Sequence, residues 1–185
     1  MIYGRMMTRA HLISHARIAL TPLFQAYDDW RRRGIAWRQQ MARELIFNND
    51  ELRQEFDKMQ QVGMYPIAAC IALLSDNVGR TYVRERLRMA ELERVNFGAI
   101  IRPEIRFGKV LWCAANAARH YDGEALNPWN EAVLREFGIE ARDEQAAFLL
   151  LEGAGVIGEA DLLQQLEVML DDMDRPREQE QGVNA

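Results

Sequence analysis

The sequence predicts an all-α protein: an antiparallel bundle of four to five core helices with short peripheral helices. Three observations predict it. Apolar residues recur at alternating spacings of three and four in several segments, the period of a helix buried along one side. Asparagine, proline and glycine punctuation falls between those segments, where helix caps and stops belong. Hydrophobic residues make up 49% of the 185, enough to build a core and too many for a disordered chain.

Residues 10–33 carry Leu12, Ala16, Ala19, Leu23, Tyr27 and Trp30 at helical spacing. Thr21-Pro22 falls inside this stretch, so a kinked helix or two collinear ones are expected. Arg31-Arg32-Arg33-Gly34 supplies cations for a helix C-terminus and then a stop. A second helix is expected over 36–47, and Asn48-Asn49-Asp50 offers the cap for a third over 51–61. After Gly63 and Pro66, Ile67-Ala-Ala-Cys-Ile-Ala-Leu-Leu74 is the most apolar run. Its alanines favour a buried helix over a buried strand. Ser75-Asp-Asn-Val-Gly79 is expected to break that run. Residues 80–95, rich in arginine and glutamate, then read as a solvated helix whose ion pairs contribute roughly a few tenths of a kcal/mol each. Asn96-Phe-Gly98 closes it.

The central helix is expected to begin near Pro103, a preferred first-turn residue, and to run to Tyr121. At about 100° per residue its positions divide into two arcs. Phe107, Val110, Leu111, Ala114, Ala115, Ala117, Ala118 and Tyr121 form the apolar one. Arg102, Arg106, Lys109, Cys113, Asn116 and His120 form a polar band about 80° wide. Tyr121-Asp-Gly123 is a turn signal, and Asn127-Pro128 opens a short helix to about 137 that Gly138 ends. Arg142-Asp143 begins another, ending near Glu152, and Gly153-Ala-Gly155 with Gly158 forms a loop. A last amphipathic helix over 159–173 carries Leu162, Leu163, Leu166, Met169 and Leu170. The expectation is one helical domain over 1–173 and a disordered polar tail over 174–185.

The net charge of −5 and pI near 5.3 argue against wholesale coating of nucleic acid but leave room for a local basic patch. No stretch has the apolar core of a signal peptide or the roughly 18 residues of a membrane span, so a cytoplasmic protein is expected. Cys70 and Cys113 stand in apolar context and read as free, buried thiols. His11 and His15 lie four apart, a spacing that can present two imidazoles to one metal. No acid or cysteine follows at ligand spacing, so neither a metal nor another cofactor is expected. Glycine-rich phosphate loops, Gly-x-Ser-x-Gly, His-Glu-x-x-His and Cys-x-x-Cys are all missing from the sequence.

The polar band of the central helix is what remains. An imidazole beside cations loses its proton near neutral pH and can serve as a general base. Arginine and lysine on the same stripe can bind a phosphate and stabilise its developing charge, while asparagine can orient a 2′-hydroxyl or the histidine. That is a minimal outfit for metal-independent RNA cleavage. The candidate catalytic residues are therefore His120, Asn116 and Arg106, and the candidate nucleotide- or RNA-binding residues are Arg102, Lys109 and Arg119. The plainer reading is that His120 and Asn116 fix the helix end while the arginines are simply solvated.

The run Ala114-Ala-Asn-Ala-Ala-Arg-His-Tyr-Asp-Gly-Glu124, followed by Trp129, resembles a signature of bacterial helical proteins related to HEPN domains (higher eukaryotes and prokaryotes nucleotide-binding). The resemblance covers about thirty residues. It implies a bundle of four or five helices, often a homodimer, with a nucleotide or RNA cleft, as in toxin and defence ribonucleases and their inactive relatives. Active members carry Arg-x(4–6)-His on one late helix; here the corresponding positions are Ala115, Ala114 and Cys113. The alternative is a non-enzymatic module that holds a partner protein, such as a phage, plasmid or toxin–antitoxin partner.

Overall fold

Four residues spaced by four, Leu12, Ala16, Leu20 and Phe24, are buried along α1 (Arg9–Arg43) and set the side of that helix that faces the core. The structure, a computed structural model, describes residues 8–43, 66–120, 126–143 and 145–175. The expected stripe is half right: Leu12 and Ala16 lie on it, but Ala19 is exposed and Leu20 and Phe24 replace it. Gly34 does not stop the helix, which runs on through the start of the segment expected as a second helix. A lone glycine costs a helix only about 1 kcal/mol, less than neighbouring turns return. The rest of that second helix and the third, over 51–61, lie outside the described residues.

The apolar run is helical, as its alanines suggest: α2 spans 66–76 and buries Ile67, Ile71 and Leu74. The break expected at Ser75–Gly79 does not occur. The chain continues as a π-helical stretch, Asn77–Arg86, which buries Val78, Tyr82 and Val83. Arg88, at φ 59°, ends it, and a 3-10 turn, Glu91–Asn96, follows. The single charged helix read over 80–95 is thus two short pieces.

A second correction concerns Pro103. It does not begin a helix. Ile100–Arg102 (β1) and Ile105–Arg106 (β2) pair antiparallel around Pro103-Glu104, with Glu104 at φ 61°. Proline suits the first position of a tight turn as well as the first turn of a helix, and the flanking isoleucines favour extended backbone. The central helix, α3, is Phe107–Arg119. Its start touches the 3-10 turn so closely that a Cβ on Gly108 would lie 1.9 Å from the Arg94 carbonyl oxygen.

α4 (Pro128–Glu136) starts as its sequence indicates, with the Asn127 side chain accepting from Asn130 N at 2.9 Å and Gly138 at φ 72° past its end. α5 (Ala146–Gly153) begins a turn later than Arg142-Asp143 suggests. α6 (Glu159–Asp174) buries Leu162, Leu163, Leu166, Met169 and Leu170, all on the expected stripe. Asp174 belongs to this helix rather than to the tail.

The result is an all-α fold with, among the described residues, one small hairpin. α3 packs against α4, α5, α6 and the 3-10 turn, and so forms its axis. α1 packs on α6 with opposite direction: Arg9 pairs with Asp171 near the end of α6, and Thr21 donates to Glu159 at its start. The last turn of α6 fastens three further parts. Asp172 accepts from Gly98 N at 3.0 Å and pairs with Arg106 at 3.3 Å, while Asp174 accepts from the Tyr82 hydroxyl at 2.6 Å. Among the described residues no helix is long and apolar enough to cross a membrane.

Candidate functional site

Because α3 begins at Phe107, the polar band is not one continuous stripe. Arg102 sits on β1 and Arg106 at the helix N-cap, and burial divides the remainder into two ends. The divider is Cys113. It is fully buried and its thiol donates to the Asn130 carbonyl at 3.5 Å. Burial pushes this thiol up from 9.0 to about 12, with Lys109 pulling weakly the other way. Cys113 therefore belongs to the apolar arc, which wraps further round α3 than the projection placed it.

At the N-terminal end, Lys109 points its ammonium at the face of Trp129, with Nζ 5.0 Å from the ring centroid. Trp112, one turn along α3, meets the same ring edge-on at 4.6 Å. Trp129 is held there by the Asn127 cap of α4, one residue past Pro128, and keeps 37% of its surface exposed. Beside it lies an open cleft of about 410 Å³ whose walls include Asn96, Ile100, Glu104, Arg106, Lys109 and Trp129. Arg106 is partly committed, donating to the Gly98 carbonyl at 2.9 Å as well as pairing with Asp172. Arg102 stacks over Phe137, its Cζ 4.3 Å from the centroid.

The C-terminal end is differently occupied. Arg119 pairs with Asp76 at 2.7 Å and donates to the Ala72 carbonyl and to Asn116 Oδ1, both at 3.1 Å. Asn116 thus accepts from Arg119. His120 is half-buried and caps α3, its backbone N–H donating to the Asn116 carbonyl at 3.1 Å. The structure brings Asn116, Arg119 and His120 together, and separately Lys109 with Arg106. It does not unite the two groups: Arg106 and His120 stand at opposite ends of a helix, about 20 Å apart at 1.5 Å rise per residue.

His11 and His15 have ring centroids 6.4 Å apart. Among the described residues, no cluster of three histidine, cysteine or acidic side chains has the geometry to hold a metal. Sequence reading passed over Trp112, Phe137, Asp76 and Asp172 as parts of this face. The spacing of Lys109 and Trp112 was the one available signal, since three residues apart on a helix are neighbours. Comparison with known protein families, curated proteins and solved structures gives no match.

Proposed function

We propose that the chain is a HEPN-like helical protein that binds a nucleotide or single-stranded RNA without cutting it. The binding end is that of Lys109 and Trp129. The observation that carries this reading is the Lys109 ammonium over the partly exposed Trp129 ring, beside an open cleft. An aromatic face takes a base whatever its identity, at about 1–3 kcal/mol per stacked base, and the adjoining cation takes its phosphate. Arg102 over Phe137 supplies a second cation and ring for a neighbouring nucleotide.

The non-cleaving branch is favoured by geometry. A phosphate held at Arg106 is about 20 Å from His120, and the arginine next to His120 is committed to Asp76. The test uses a fluorescent single-stranded RNA with chelator present. Wild type is expected to bind and to leave the RNA intact, and Lys109→Ala to bind at least several-fold more weakly. Cleavage that disappears in His120→Ala would overturn the non-cleaving reading, and equal affinity in Lys109→Ala would overturn the placement.

A second reading, pairing with another copy or with a partner protein such as a toxin–antitoxin mate, is favoured by a different observation. Leu73, 64% exposed, lies on the rim of a groove between α1 and α2 whose walls include Ala16, Ala19 and Cys70. Leu73→Glu would abolish a dimer seen by light scattering if this surface pairs. The free Cys70 and Cys113 thiols fit a cytoplasmic setting.

A further inference from the structure

Arg94 is the most anomalous charge among the described residues. It lies in the 3-10 turn and is only 7% exposed. Its guanidinium enters no ion pair among the described residues, and its Nε has no hydrogen-bond partner. A buried cation is normally paired, because desolvating it unpaired is strongly unfavourable.

The seat of this side chain is built for it. Gly79, in the π-helical stretch, leaves its backbone bare under the guanidinium, and a Cβ there would lie 1.6 Å from Arg94 Nη1. One turn earlier on the same helix, Ser75 is fully buried and its Oγ also lacks a partner. The carboxylates whose charge acts on Arg94 are Asp76 and Glu91, and both are taken. Asp76 is 2.7 Å from Arg119, and Glu91 is 2.8 Å from Arg84. Arg80 and Arg119 add positive charge around Arg94, and burial, the largest influence, pushes the guanidinium down. Arg80, Arg84, Arg94 and Arg119 thus share two carboxylates, and the cluster lacks negative charge.

We propose that Arg94, with the exposed Arg80 at its rim, forms a binding site for a phosphate dianion. The ligand is free phosphate or a terminal phosphate monoester. A dianion supplies the charge the cluster lacks, and its oxygens accept from guanidinium N–H groups that are planar and fork-shaped. The Arg94 carbonyl lies against Gly108 at the start of α3, while its guanidinium lies over Gly79.

Thermal unfolding with inorganic phosphate, a nucleoside 5′-monophosphate, or chloride at equal ionic strength tests this. In wild type, phosphate at about a hundred times its Kd is expected to raise Tm by roughly 5–10 °C beyond chloride. Arg94→Met is expected to match or exceed the wild-type Tm without ligand, because an unpaired buried charge is gone, and to lose the phosphate shift. Arg80→Gln, at an exposed position, keeps the fold and is expected to weaken Kd at least threefold, so it decides the matter should Arg94→Met not fold. Equal shifts from inorganic phosphate and the monophosphate mark a free-phosphate site; a larger shift from the monophosphate marks a terminal-phosphate site. No shift beyond chloride in wild type, or an undiminished shift in the folded variants, overturns the proposal.

Discussion

The two ends of α3 carry similar side chains in opposite states. At the C-terminal end, Arg119 is tied to Asp76, to a backbone carbonyl and to Asn116, so its charge and donors are spent on holding α2 against α3. At the N-terminal end, Lys109 faces the Trp129 ring, which attracts a cation without neutralising it. The difference lies in what the neighbouring element supplies: α2 brings a carboxylate, and α4 brings Trp129. Residue type therefore does not mark the better site. His120 and Asn116 stood out in the sequence, but the end they occupy is an assembled helix terminus.

The largest effect on this contrast is expected from Gly108→Ala. Its new methyl would meet the Arg94 carbonyl oxygen, which is backbone and cannot swing aside. A loss of about 3 kcal/mol or more is expected, read as a lower midpoint in urea. A stability unchanged within error would mean the 3-10 turn does not wall the N-terminal end as described.

Next comes a paired substitution. Trp129→Ala is expected to weaken single-stranded RNA roughly tenfold or more, corresponding to about 1–3 kcal/mol per stacked base. Asn116→Ala is expected to leave that affinity unchanged. Fluorescence anisotropy at fixed salt measures both, and a reversal of the two would exchange the roles of the ends.

The divider between them has its own signature. Folded Cys113 keeps its proton to about pH 12, whereas the unfolded thiol loses it near 9.0. Between those values the unfolded state binds fewer protons, so stability falls as pH rises, by up to about 1.4 kcal/mol per pH unit. Cys113→Ala is expected to flatten this slope, and Cys113 to resist alkylation until the protein unfolds. An identical alkaline slope in both proteins would place the thiol in contact with water.

The smallest effect belongs to Asp76→Asn. Its pair with Arg119 is about one-third exposed on each side, and solvent screening limits such pairs to about 1 kcal/mol or less. Circular-dichroism melting is expected to move by only a few degrees, and a collapse of the fold would show that this end holds more than a helix junction.

How much of this was legible in the sequence follows from locality. α4 and α6 read cleanly because Asn127, Pro128 and Gly138 act on their own helix, and the α6 leucines keep one period. α2 read as helix from its alanines and from the helical segments on either side. Pro103 did not, because proline suits the first position of a tight turn as well as the first turn of a helix. Gly79 read as a break for a similar reason: its role, seating Arg94, depends on a residue in another element. The site suffered most. Asp76 and Asp172, which decide whether Arg119 and Arg106 are available, arrive from α2 and α6 and leave no trace in the spacing of α3.

Ultraviolet crosslinking of a short single-stranded RNA, followed by mapping of the modified peptides, tests the central claim most directly. The account predicts that the label falls on the peptide containing Trp129 and disappears in Trp129→Ala, with the Asn116–His120 peptide unmodified. Label on that second peptide, undiminished in Trp129→Ala, would contradict it.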